Sequence, residues 1–143
     1  VASIDEVLAR YREDFELFET PDEKFEYIFD LGKQHKSLPE DEKNSKTFIE
    51  GCSSPAWLVA ECKDNKLILR GEGSSEMAKG MLTLLLDIFS DKDVDEILAF
   101  DTKRLSELGI IEHLSPVRQQ SLEAFLNKVY TYAKECKEKS SAK

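Results

Sequence analysis

Residues 56–70 restrict the fold more than any other part of this chain. Ala56 to Cys62 and Leu67 to Arg70 are rich in apolar residues, and Lys63-Asp64-Asn65-Lys66 between them is turn-forming. The block predicts a β-hairpin, because Asp and Asn bond their own backbone and accept the left-handed conformation a tight reversal needs. An isolated hairpin is marginal in water and needs further strands or a helical cover. Thr47 to Glu50 is expected to add a strand, giving a small antiparallel sheet of about three. Gly71-Glu72-Gly73-Ser74-Ser75 is expected to break the sheet and cap the next helix.

Helical patterns stand on both sides of the hairpin. Ser3 and Glu6 form a capping box ahead of Val7, Leu8, Tyr11 and Phe15, which share one face. Thr20-Pro21-Asp22-Glu23 starts a second helix, with Phe25, Ile28 and Phe29 as its apolar face and Gly32 near its end. Lys33 to Lys46 is polar, contains Pro39 and predicts a long loop. Beyond the hairpin, a helix to about Phe89 turns Met77, Met81, Leu84, Leu85 and Ile88 inward. Val94 to Leu108 is helical in part and closed by Gly109. Ser115-Pro116 opens a last helix with the stripe Leu122, Phe125, Leu126, Val129 and Ala133. The chain is expected to fray after Lys137, so that 138–143 form a loose tail. The pattern is α+β, helices on one face of a small antiparallel sheet, in a single domain spanning 1–143.

Composition narrows the function. The chain has 143 residues, enough for a core without staples. Its longest apolar run, Met81-Leu82-Thr83-Leu84-Leu85-Leu86, is far too short to cross a membrane. The acidic, amphipathic start is unlike a secretory signal. A net charge of −9 argues against binding nucleic acid or an anionic membrane, which both need a basic face, and suits a protein partner with basic patches. The three cysteines, Cys52, Cys62 and Cys136, show no disulfide-framework spacing and no CxxC pair. That count favours a reducing compartment, the cytoplasm, and gives no metal site and no bound cofactor.

Cys52 stands in the run Phe48-Ile49-Glu50-Gly51-Cys52-Ser53-Ser54-Pro55-Ala56-Trp57. Gly51 allows a sharp turn, Ser53 and Ser54 bring small hydroxyls and loop amides, and Pro55 stops strand pairing. A thiol placed there can be presented to a partner, and nearby amides would favour its reactive thiolate. The alternative is a small buried residue, the usual state of a free cysteine. Cys62, at a strand end, and Cys136, one turn past Ala133, fit structural or incidental roles.

Arg118 lies in the first turn of the last helix, where the macrodipole disfavours a cation. It suits either an anionic partner such as a thiolate or persulfide, or a surface pair with a carboxylate such as Glu112. His113 is an acid–base candidate or a plain surface histidine. A cysteine hydrolase would need His113 or His35 against the thiol, and no signature surrounds Cys52. An iron–sulfur scaffold would need several thiolates to converge.

Four stretches in order resemble the SufE family, from about Tyr11 to about Ala133. Glu50-Gly51-Cys52-Ser53-Ser54 with Trp57-Leu58 is similar to the family's acceptor loop and tryptophan strand. Gly71-Glu72-Gly73-Ser74-Ser75-Glu76 leading to Lys79-Gly80 is similar to its acidic turn and helix start. Leu105 to Ile110 and Leu114-Ser115-Pro116 with Arg118 complete the match. Two departures stand out: Gly71 to Ser75 replaces an Asp-Ser-Asp-like turn, and Gln120-Ser121 replaces Asn-Gly.

The resemblance implies the SufE/NifU-like α+β fold and a sulfur-acceptor function. Cys52 would take sulfane sulfur from the persulfide of a pyridoxal-phosphate cysteine desulfurase, activating it, and relay the sulfur to a downstream iron–sulfur scaffold. Gly51, Ser53, Ser54 and Arg118 would support it, with Glu50, Glu72 and Glu76 as contacts to the desulfurase. The pyridoxal phosphate would belong to the partner, and the chain would be an accessory protein, monomeric or weakly dimeric. The loop would hide the thiol at rest, with Gly51 and Pro55 as its limits. The alternatives are a scaffold-like protein and an interaction module without sulfur transfer.

Overall fold

The computed structural model describes residues 2–141. The elements run α1 (Ile4–Glu16), α2 (Pro21–Gly32), β1 (Ala56–Lys63), β2 (Lys66–Gly73), α3 (Glu76–Phe89), β3 (Lys92–Asp93), α4 (Val94–Ala99) and α5 (Pro116–Ser141). Short 3-10 turns occupy Glu40–Glu42, Thr102–Leu108 and Ile111–His113.

The hairpin forms as its sequence dictates. β1 and β2 pair antiparallel from Ala56 opposite Gly73 to Lys63 opposite Lys66. The reversal passes through Asp64 and Asn65, with φ of 52° and 63°, the left-handed conformation these residues accept.

Two expectations about the sheet are corrected. β2 does not break at Gly71; it continues through Gly71, Glu72 and Gly73, opposite Leu58, Trp57 and Ala56. A Cβ on Gly71 would lie 3.1 Å from the Leu82 methyls, and one on Gly73 would lie 3.0 Å from Ala78 Cβ. These glycines admit α3 close to the strand, a role that local sequence does not separate from a break.

Thr47 to Glu50 is not a strand of the sheet but a single bridge, Phe48 opposite Trp57. The third strand is β3, on the other edge of β2, pairing Leu67 with Lys92 and Lys66 with Asp93. Two residues without an apolar run carry no readable strand pattern.

The helix starts are capped as expected. Ser3, Thr20 and Ser75 accept backbone N–H groups of Glu6, Glu23 and Ala78. The stripes of α1, α3 and α5 enter one contiguous apolar core with Leu58, Leu67 and Leu69 of the sheet. α3 and α5 pack on the sheet, α2 lies on α3, and α4 lies on α5.

Phe29, expected inside, is 41% exposed. α2 instead turns Ile28 and Gly32 toward Gly80 of α3, and the backbones meet there too closely for a Cβ at Gly80. The fray expected after Lys137 is also corrected: α5 is continuous to Ser141. Ala142 and Lys143 of that expected tail lie outside the described residues.

Candidate functional site

The Cys52 loop is closed at its base by two backbone hydrogen bonds, Ile49 N–H to Ala56 O and Leu58 N–H to Thr47 O, both 2.8 Å. Its tip, residues 50–55, turns through Gly51 at φ +95°, where an L side chain is strained. A Cβ there would also meet Ala124 Cβ at 3.3 Å. The tip therefore rests on the early turns of α5.

Cys52 is half-buried and is the one free thiol among the described residues. Its S–H points at the Ser121 carbonyl at 3.8 Å, and the Ser53 N–H donates to Ser121 Oγ at 3.3 Å. The thiol faces a cavity of about 100 Å³ whose walls include Met81, Leu82 and Leu85 of α3 and Leu122 and Phe125 of α5. Ser54 lies on the same wall. A cavity needs roughly 10–15 Å³ to hold a water, so an added sulfur atom fits.

Burial pushes the Cys52 pKa up, and its hydrogen bond to Ser121 pulls it down by less. The expected ease of ionisation is thus not the resting condition. The Ser53 amide is spent on Ser121, and apolar walls disfavour the thiolate.

Arg118 lines the same cavity. Its backbone N–H is capped by Ser115 Oγ at 3.3 Å. Among the described residues its guanidinium makes no ion pair, and Glu112 lies instead 3.9 Å from His113. Neither His113 nor His35 lines the cavity, so no histidine stands against the thiol as a hydrolase requires.

The three glutamates do not form one surface. Glu50 and Glu76 are exposed, but Glu72 is 6% exposed, which corrects its assignment as a partner contact. One Glu72 oxygen lies 3.0 Å from His35 Nε2, and the other accepts the Leu38 N–H at 3.1 Å. Burial raises the Glu72 pKa, but the Leu38 amide, His35 and Lys43 together outweigh it and hold the carboxyl below its usual range. Glu72 fastens the loop that follows α2 to β2.

Cys62 and Cys136 form a disulfide, with Cα atoms 5.4 Å apart and a sequence separation of 74. The count and spacing of the three cysteines, read as favouring a reducing compartment, gave no sign of this bond, which gives Cys62 and Cys136 a structural role. That separation gives no local spacing signal, and only the packing of α5 along β1 brings the two together. Among the described residues no three His, Cys, Asp or Glu side chains gather as a metal site. Ser121 went unread as a site residue; the available signal was its position, one helical turn after Arg118.

The family described as SufE, the Fe–S metabolism associated domain, matches residues 9–133. The chain belongs to the SufE family. Membership places it in iron–sulfur metabolism, and the acceptor-loop stretch and the Arg118 stretch both lie within the SufE match. An uncharacterized SufE-like protein of Rhizobium meliloti is 28% identical over 138 residues, covering 93% of this chain and 96% of that protein. Another, from Rhizobium etli, is 26% identical over 139 residues, covering 94% and 91%. A hypothetical protein from Thermus thermophilus, solved in solution, shares the SufE chain's fold at a TM-score of 0.75. It is 16% identical, with 91% of this chain and 95% of that one covered.

Proposed function

We propose that this SufE-family chain is a sulfur acceptor for a pyridoxal-phosphate cysteine desulfurase. The observation that carries it is Cys52: a free thiol, on a loop tip, over an apolar cavity that it shares with Arg118, whose guanidinium makes no ion pair among the described residues. The Cys52 thiolate attacks the terminal sulfur of the donor's persulfide. The donor's S–S bond breaks, its cysteine leaves as thiolate, and Cys52 becomes the persulfide, with no net oxidation. Arg118 would face the persulfide anion, and the walls would keep solvent reductants away. The sulfur then passes to an iron–sulfur scaffold.

Docking would use the exposed Glu50 and Glu76 against a basic surface, in keeping with the net charge of −9. The reading carries a cytoplasmic setting with it. The Cys62–Cys136 bond pulls the other way, since cytosolic thiol pools keep most cysteines reduced. The scaffold alternative is weaker, because two of three cysteines are bonded to each other.

Intact mass spectrometry after incubation with a cysteine desulfurase and cysteine tests the reading. The expected result is addition of sulfur on Cys52, reversed by a thiol reductant and absent in Cys52→Ser. Sulfur uptake by Cys52→Ser, or none by the wild type, overturns it.

A further inference from the structure

Outside its own turn, and among the described residues, the tip of the Cys52 loop hydrogen-bonds to a single residue. Within residues 50–55 the two such bonds are Cys52 S–H to Ser121 O and Ser53 N–H to Ser121 Oγ. The loop's base is held far more firmly. Besides the Ile49–Ala56 and Thr47–Leu58 bonds, α5 ties both flanks: Lys128 Nζ donates to Lys46 O at 2.9 Å, and Tyr132 OH donates to Leu58 O at 2.7 Å. Farther along, Cys136 is bonded to Cys62.

Ser121, Ala124, Lys128, Tyr132 and Cys136 are spaced three and four apart, so they form one stripe along α5 facing the loop and β1. Along that stripe the contacts weaken toward the tip. A covalent bond and two short hydrogen bonds hold the flanks, while 3.3 Å and 3.8 Å contacts hold Cys52 and its neighbour. Such long contacts bias a loop without locking it.

We propose that Ser121 is the positioning residue that latches the Cys52 loop onto α5, setting how often the thiol leaves its cavity. A serine hydroxyl oxygen carries acceptor lone pairs, and Ser121 Oγ uses one to hold the Ser53 amide. Its carbonyl takes the S–H. One residue on a rigid helix thereby fixes the loop backbone and the thiol together. The flanks stay fastened when the tip lifts, so opening is a local motion of residues 50–55 and needs no rearrangement of the core. The consequence for sulfur transfer rests on the acceptor reading above; the latch itself does not.

The test compares wild type, Ser121→Ala and Ser121→Thr, with the disulfide intact. Three readouts are the rate of Cys52 alkylation by iodoacetamide, amide exchange at Ser53, and the thermal midpoint. Losing one ordinary hydrogen bond should make Ser121→Ala alkylate about threefold to tenfold faster. Ser53 exchange should rise with it, the midpoint should hold, and Ser121→Thr should restore the slow rate. An alkylation rate and Ser53 exchange unchanged in Ser121→Ala overturn the proposal, as does a rate that rises only with general loss of stability. In the same preparations, a desulfurase should load both proteins, with the loaded sulfur lost faster to a thiol reductant in Ser121→Ala. A wild type that never loads sulfur refutes the acceptor reading, and the alkylation arm still decides the latch.

Discussion

Gly80→Ala is a small substitution with a sign that helix propensity and tertiary structure predict oppositely. In an isolated helix, alanine would stabilise position 80 by about 1 kcal/mol. In the fold, the added Cβ would collide with Ile28 O and would lie 2.8 Å from Ile28 C and 2.9 Å from Ile28 Cγ2. A carbon and a carbonyl oxygen come no closer than roughly 3.3 Å in ordinary contacts. α2 and α3 must therefore part by about 1 Å, because two of the three opposing atoms are backbone and no rotamer change relieves them.

Overpacking of this kind costs about 1–3 kcal/mol, and backbone clashes belong at the upper end. A gap of about 1 Å also forfeits up to about half of each dispersion contact along the α2–α3 seam. Against the propensity gain, the net is destabilisation by about 2 kcal/mol. With a urea slope of about 2 kcal/mol/M, the midpoint should fall by about 1 M. Since α3 also supplies Met81, Leu82 and Leu85 to the Cys52 cavity, the alkylation rate of Cys52 should change as well. A urea midpoint equal to or above that of the wild type would refute the reasoning and return Gly80 to an ordinary helix position. The milder contacts at Gly32, 3.0–3.3 Å, predict a smaller loss for Gly32→Ala.

Glu72→Lys should act on stability rather than on partner association. It places an ammonium against Leu38 N–H, His35 and Lys43, at a cost of about 3–5 kcal/mol by thermal or urea unfolding. Because the folded-state pKa of Glu72 is depressed, its contribution is present above the ordinary carboxylate range and disappears as pH falls through the folded value; a titration of stability on Glu72→Gln should lack that part of the acid loss. Cys136→Ser opens a loop spanning a separation of 74 residues and should cost on the order of 4 kcal/mol, while Cys52 still accepts sulfur in the mass assay. Cys52 itself, its pKa raised by burial, should show an alkylation pH profile centred above that of an unstructured cysteine peptide; a midpoint below the peptide's would contradict the apolar seating.

The sequence by itself determined what depends on neighbours in the chain. Asp64-Asn65 turns the hairpin, Ser3, Thr20 and Ser75 start helices, and the period of α5 buries Leu122, Phe125, Leu126 and Val129. Those signals are short-range bonds and periodicities. The loop placement of Cys52 was legible for the same reason, since the residues around it form that loop. What only the tertiary structure decided are contacts between segments far apart in the chain. The third strand became Lys92–Asp93 rather than Thr47 to Glu50, because β2 had a free edge there. Gly71 and Gly73 became places where α3 approaches rather than a break, and Glu72 became the buried anchor of a distant loop. Cys62 met Cys136 across a separation of 74 residues, and Ser121 met Cys52 across 69. No pattern in one segment encodes such a meeting: the partner is chosen when helices and sheet exclude water together, and α5 lies along β1 only in the finished core.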